Sequence, residues 1–120
     1  MGTNGEQLVQ VTGNPQQASL LPIDKKTTGR GTALAVGGNK NLRIEVWGTG
    51  SYIVQIEAIG ASGTARALPV WDITGMTFVA SNNKIAAGFY DIDVQGFSRF
   101  QANVTSISGG NVNASGRLML

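Results

Sequence analysis

Two aspartates, Asp91 and Asp93, have the spacing that most invites a chemical reading. They sit in the stretch GFYDIDVQGFSRFQANV, residues 88–104. In a strand, side chains two apart share a face, with Cα atoms about 6.5–7 Å apart. That separation suits the carboxylate pair of a glycosidase or a hard cation. The surrounding residues argue otherwise. Tyr90, Ile92 and Val94 form the apolar face of the same run, so both aspartates point away from the core, beside Phe89. A glycosidase also needs a cleft, for which a short-looped chain of 120 residues leaves little room. A calcium loop gathers several ligands, and no D-x-D-x-D-G run occurs. The pair reads as a solvent or interface face.

Composition removes most other chemistry. The chain contains neither histidine nor cysteine, which excludes the commonest general base, thiol nucleophiles, zinc clusters and disulfides. Gly29-Arg30-Gly31-Thr32 follows no strand and lacks the Gly-Lys-Ser/Thr of a phosphate loop. No G-x-S-x-G elbow activates a serine. Catalytic, cofactor-binding and metal residues are therefore expected to be none, and no cofactor is expected. A net charge of +2 is too small to argue for a nucleic-acid partner. No run of about 18 apolar residues suggests a membrane span. Residues 1–12 lack a basic segment followed by an apolar core, so no signal peptide is expected.

The elements that must position any site fall into two parts. Residues 1–30, with Pro15, Pro22, paired glutamines and paired lysines, read as an extended N-terminal arm. Only residues 8–11 suggest a short strand there. Residues 31–120 read as one antiparallel β-sandwich domain, jelly-roll or immunoglobulin-like, of about seven or eight short strands. In NLRIEVWG, Leu42, Ile44 and Val46 alternate with Arg43, Glu45 and Trp47. In SYIVQIEA, Tyr52, Val54, Ile56 and Ala58 take the apolar face. Matching these faces in a hairpin needs an odd loop, and Gly48-Thr49-Gly50 supplies one. The same argument pairs Phe100, Ala102 and Val104 with Val112, Ala114 and Leu118 across Ser108-Gly109-Gly110. Further strands are expected near residues 65–72, 76–80 and 88–94, with turns at Thr74-Gly75 and Ser81-Asn82-Asn83.

Candidate contact residues follow from what this plan leaves uncovered. Leu20, Leu21 and Ile23 form an apolar cluster in the arm that would prefer a groove, on this subunit or a neighbour. Lys25, Lys26 and Arg30 form a small basic cluster, either solvated or facing an acidic protein surface. Trp47 and Trp71 both fall off the core face. They are placed there for a second layer of the fold, a protein contact, or sugar stacking with Tyr52 nearby.

The runs LRIEVWGTGSYIVQIEAIGASGTARALPVWD and AAGFYDIDVQGFSRFQANVTSISGGNVNASGRL, spanning about residues 42–118, resemble small β-sandwich virion proteins of tailed bacteriophages. The matching positions are Ile56-Glu57-Ala58, residues 88–96 and residues 106–117. Residues 74–84 and the arm do not match that pattern. The resemblance implies a non-enzymatic structural role in the virion, assembled in the host cytoplasm. It favours a head decoration or cement protein that binds the major capsid protein or other virion proteins, as a homo-oligomer and by preference a trimer. In this reading the arm and an aromatic face make the contacts. The alternative is a tail or head-fibre carbohydrate-binding module for host attachment, built around Trp47 and Trp71.

Overall fold

Alternating apolar and polar residues, rich in β-branched types, drive this chain into strands, and in the computed structural model the regular elements among the described residues are all strands. The structure describes residues 16–80 and 85–120. The expected strand at residues 8–11 and the turn at Ser81-Asn82-Asn83 lie outside them. Nine strands occur among the described residues: β1 (Gln16–Ser19), β2 (Gly29–Arg30), β3 (Leu34–Ala35), β4 (Asn41–Ile59), β5 (Ala65–Ala67), β6 (Val70–Asp72), β7 (Thr77–Val79), β8 (Gly88–Asp93) and β9 (Arg99–Met119). All pair antiparallel, in the order β1-β9-β4-β8-β6-β7, with β2 and β3 also on β9 and β5 also on β4. The fold is all-β and sandwich-like.

Neither expected hairpin forms. β4 and β9 run straight through the two glycine turns and pair with each other over their whole length, from Asn41↔Met119 to Ile59↔Arg99. The reason lies in the face rule itself. Pairing Val46 with Ala114 and Val54 with Val104 matches the apolar faces as well as either hairpin does. One continuous ladder also satisfies more backbone groups than two short ones. The glycines serve a register shift instead. Gly50 and Gly109, with φ of 75° and 73°, lie where the pairing slips between Ser108 and Asn111, and a second slip follows Val104. Each slip is a bulge that adds one residue on β9. Together they return even-numbered residues to the inward face at both ends.

The ribbon is bent at this point. Val46 pairs with Gly88, yet Val54, eight residues on, pairs with Ile85. Eight extended residues cover about 26 Å, whereas three residues and two interstrand steps reach about 21 Å at most. Coiling brings Leu42, Ile44 and Val46 into one cluster with Val54, Ile56, Phe100 and Val104, all buried. The strands also approach closely at the bulge. A Cβ on Gly110 would collide with the carbonyl of Thr49, and one on Gly48 with the carbonyl of Asn111.

From Gln16 onward the expected arm does not stand apart. It crosses the sheet as an extended strap. β1 pairs with residues 115–118, Lys25 bridges Val112, and β2 pairs with Asn103 and Val104. Leu20 and Leu21 are fully buried in the core of the same chain. Their burial contributes roughly 2 kcal/mol each, which offsets part of the entropy of ordering the strap. Leu20 and Leu21 therefore find their groove on their own subunit, while Ile23, the third residue of the cluster, stays exposed.

Glu57 latches the far end of the strap. The Arg30 guanidinium donates to it at 2.8 and 3.3 Å, Gln101 at 2.8 Å and Asn103 at 3.4 Å. The carboxylate is buried, 5% exposed, while the arginine side chain remains about half exposed. Burial alone would raise the Glu57 pKa. The hydrogen bonds from Arg30, Gln101 and Asn103 and the Arg30 charge outweigh it, and the carboxyl titrates below its ordinary value.

Two outcomes follow from this architecture. Gly110→Ala should cost about 2 kcal/mol through overpacking. Gly38→Ala, whose methyl meets open space, should leave the thermal midpoint unchanged. Equal melts would disprove the close approach. Glu57→Gln should cost about 1–3 kcal/mol at neutral pH by weakening a buried acceptor. Because the folded-state pKa lies below the unfolded one, the wild-type advantage is complete above about pH 4.3 and shrinks as pH falls further. Denaturant titrations of both proteins from pH 7 to pH 3 would show the gap closing; a constant gap would contradict it.

Candidate functional site: an exposed aromatic face

Even-numbered residues of β4 and β8 face the core, so odd-numbered ones face outward, and the register aligns them into rows. Arg117, Arg43, Asp91, Trp71 and Phe78 are successive partners across β9, β4, β8, β6 and β7. Ser115, Glu45 and Phe89 form the next row, and Asn113 and Trp47 the one beyond. Four large rings thus share one sheet face. Trp47 is 44% exposed, Phe89 47% and Phe78 69%, and Trp71 is half-buried. Phe78 meets Trp71 edge-on, with centroids 4.9 Å apart at 71°.

The two aspartates of β8, Asp91 and Asp93, do separate things here. Asp91 accepts two hydrogen bonds from the Arg43 guanidinium, both 2.8 Å, in a fork across neighbouring strands. The hydrogen bonds and charge of Asp91 raise the Arg43 pKa. The pair is largely exposed and contributes about 0–1 kcal/mol to stability. It does fix charge and geometry in the middle of the aromatic face. Asp93 accepts the Gln95 amide N–H at 3.0 Å and shapes the turn after β8. Among the described residues no group of three acidic side chains is placed to hold a metal ion.

A groove of about 370 Å³ opens on this face, with Leu68, Pro69, Trp71, Phe78, Asp91 and Asp93 in its walls. Beside it, a polar cleft of about 200 Å³ lies among Arg43, Glu45, Phe89, Ser115 and Arg117.

The arm residues are spread rather than gathered. Leu20 and Leu21 are core residues, inaccessible to a partner. Ile23 stands 82% exposed. It precedes Asp24, which has a φ of 52° and exchanges hydrogen bonds with the Asn113 side chain. Lys25 is half-buried and its backbone pairs with Val112; Lys26 is exposed. Arg30 is held by Glu57. Trp47 and Trp71 do lie on one outward face. Phe78 joins them through the β6–β7 pairing, and the buried Glu57 cluster is a polar centre that the residue pattern did not single out. The available signal was Gln101 and Asn103, two apart on a strand, facing an acid in an apolar run.

Among the described residues no helix is long and apolar enough to cross a membrane. No curated protein gives a significant match to the sequence. Two solved structures share the fold. The SPBc2 prophage-derived protein YomS superposes with a TM-score of 0.78 at 18% identity, over 93% of this chain and 98% of that one. The PBSX exported protein XepA superposes with a TM-score of 0.81 at 19% identity, over 98% of this chain. This chain spans about half of that protein, 47% of its length. The XepA family model matches residues 16–118, nearly all of the described structure, and the chain belongs to the XepA family.

Proposed function

We propose that this protein is a non-enzymatic structural component of a phage particle, and that it binds another virion protein through the aromatic face. The finer form of the proposal is a head decoration protein seated on the major capsid protein. One observation carries it: Trp47, Phe89, Trp71 and Phe78 stand on a single sheet face around the Arg43–Asp91 fork. Exposed aromatics with a central arginine are the composition of a binding hot spot. A protein of the same fold, YomS, is prophage-derived, which supports a phage setting. The absence of histidine and cysteine from the sequence supports a binding role over catalysis. Burial of Leu20 and Leu21 moves the proposed contact away from the arm, where only the corner at Ile23 and Lys26 stays accessible.

A second reading rests on the same rings. Exposed Trp faces also stack on sugars, which would make the protein a carbohydrate-binding module for host attachment. Co-sedimentation with shells assembled from the capsid protein separates the two. Wild-type protein should pellet with shells, and Trp47→Ala combined with Phe89→Ala should weaken binding at least tenfold, about 1.4 kcal/mol. The double variant should keep its melting behaviour, since both rings are about half exposed. Failure of the wild type to pellet would overturn the capsid reading. Quenching of tryptophan fluorescence by cell-wall polysaccharide would then favour the sugar reading.

A further inference from the structure

We propose that the groove between β6 and β8 receives a basic side chain, arginine above all, presented by the protein partner. This rests on the reading that the aromatic face binds a protein, and it specifies that partner's chemistry. The groove arises from a split in the sheet. β6 pairs with β8 only at Trp71↔Asp91 and Asp72↔Tyr90. Just before it, the Leu68 N–H donates instead to the Ile56 carbonyl of β4, at 3.0 Å. Around Pro69 the chain thus leaves one part of the sheet for another, and a cleft of about 370 Å³ opens beside Trp71. That volume lies at the low end of small-molecule sites, about 300–1,000 Å³. It has room for one long side chain.

The walls select which side chain. Leu68, Pro69, Trp71 and Phe78 offer apolar and aromatic surface, against which an aliphatic stem packs. Two carboxylates, Asp91 and Asp93, share the same walls. The Asp91 charge is balanced by Arg43. Asp93 holds only the neutral Gln95 N–H, and no cation pairs with it among the described residues. The groove therefore carries one uncompensated negative charge next to two rings. A cation on an aliphatic stem satisfies both features at once, through the carboxylate and the aromatic faces. Arginine suits it better than lysine, because a planar guanidinium stacks on rings and forks onto carboxylates. A purely apolar side chain would desolvate Asp93 without replacing its partners. A sugar would find few hydrogen-bonding groups on walls that are mainly apolar.

The test uses the isolated chain and small probes. Two tryptophan indole N–H resonances are followed by NMR during titration with N-acetylarginine amide; Trp47 serves as the internal reference for Trp71. The arginine amide should shift the Trp71 resonance, while N-acetylnorleucine amide and N-acetylglucosamine should not. Asp93→Asn, which keeps an oxygen acceptor for the Gln95 N–H, should weaken arginine binding roughly fivefold. Added salt should weaken it as well. No shift with the arginine amide, equal shifts with the norleucine amide, a shift with the sugar, or undiminished affinity in Asp93→Asn would each overturn the proposal. Because no shell is involved, a null result here alongside retained shell binding removes only the groove's occupant. A positive result without shell binding removes the capsid reading and leaves the groove's chemistry standing.

Discussion

Backbone pairing between β4 and β9 is the constraint on which the other parts depend. Every other strand attaches to one of these two or reaches them through β8. Their register shifts by one residue after Val104 and by another at Gly109 and Gly110. A single slip in a two-sided ribbon would send one half's apolar residues outward. Two slips cancel, so Phe100 and Val104 at one end of β9 and Val112 and Leu118 at the other all face the same core. The glycines permit this because their backbones take conformations, and approach each other to distances, that a Cβ would forbid.

The outer face of the ribbon has two characters, and what lies over it decides between them. Along residues 55–59 the strap passes alongside, and Arg30, Gln101 and Asn103 close around Glu57 until the carboxylate is all but sealed. Along residues 41–47 the same outward parity presents Arg43, Glu45 and Trp47 beside Phe89 and Trp71. There the rings remain open. A polar cluster is thus spent on internal order at one end, while aromatic surface is left for a partner at the other.

The residue pattern made much of this legible, within a definite limit. Alternation assigned Leu42, Ile44, Val46, Val54, Ile56, Phe100, Ala102, Val104, Val112, Ala114 and Leu118 to the interior, and all are buried. It also turned Trp47, Trp71, Phe89 and the aspartates outward. Partner choice was not legible. The parity rule that allows Val46 to face Tyr52 allows it equally to face Ala114, and a glycine with positive φ serves a bulge as readily as a turn. Nearness in sequence favoured the hairpins; the length of the ladder favoured the ribbon. The fate of the strap was hidden for a similar reason. Leu20 and Leu21 signal burial, but only the fold shows whose core they enter. Glu57 escaped because its three polar partners come from β2 and β9, both remote in sequence.

The pairing of residue 16 with residue 118 also governs how the molecule must assemble in time. A fold made of two local hairpins would gather early, each turn closing its own short loop. Here nearly every pairing partner of β4 on one side belongs to β9, the strand that follows all the others. The strap likewise has no bed until β9 is in place. Loop-closure entropy must be overcome over most of the chain before native contacts return it, which places this protein among slow-folding, high-contact-order β topologies. A nascent chain would hold one edge of β4 and the strap unpaired until β9 emerges, so its synthesis leaves an interval in which chaperones, or premature partners, compete for them.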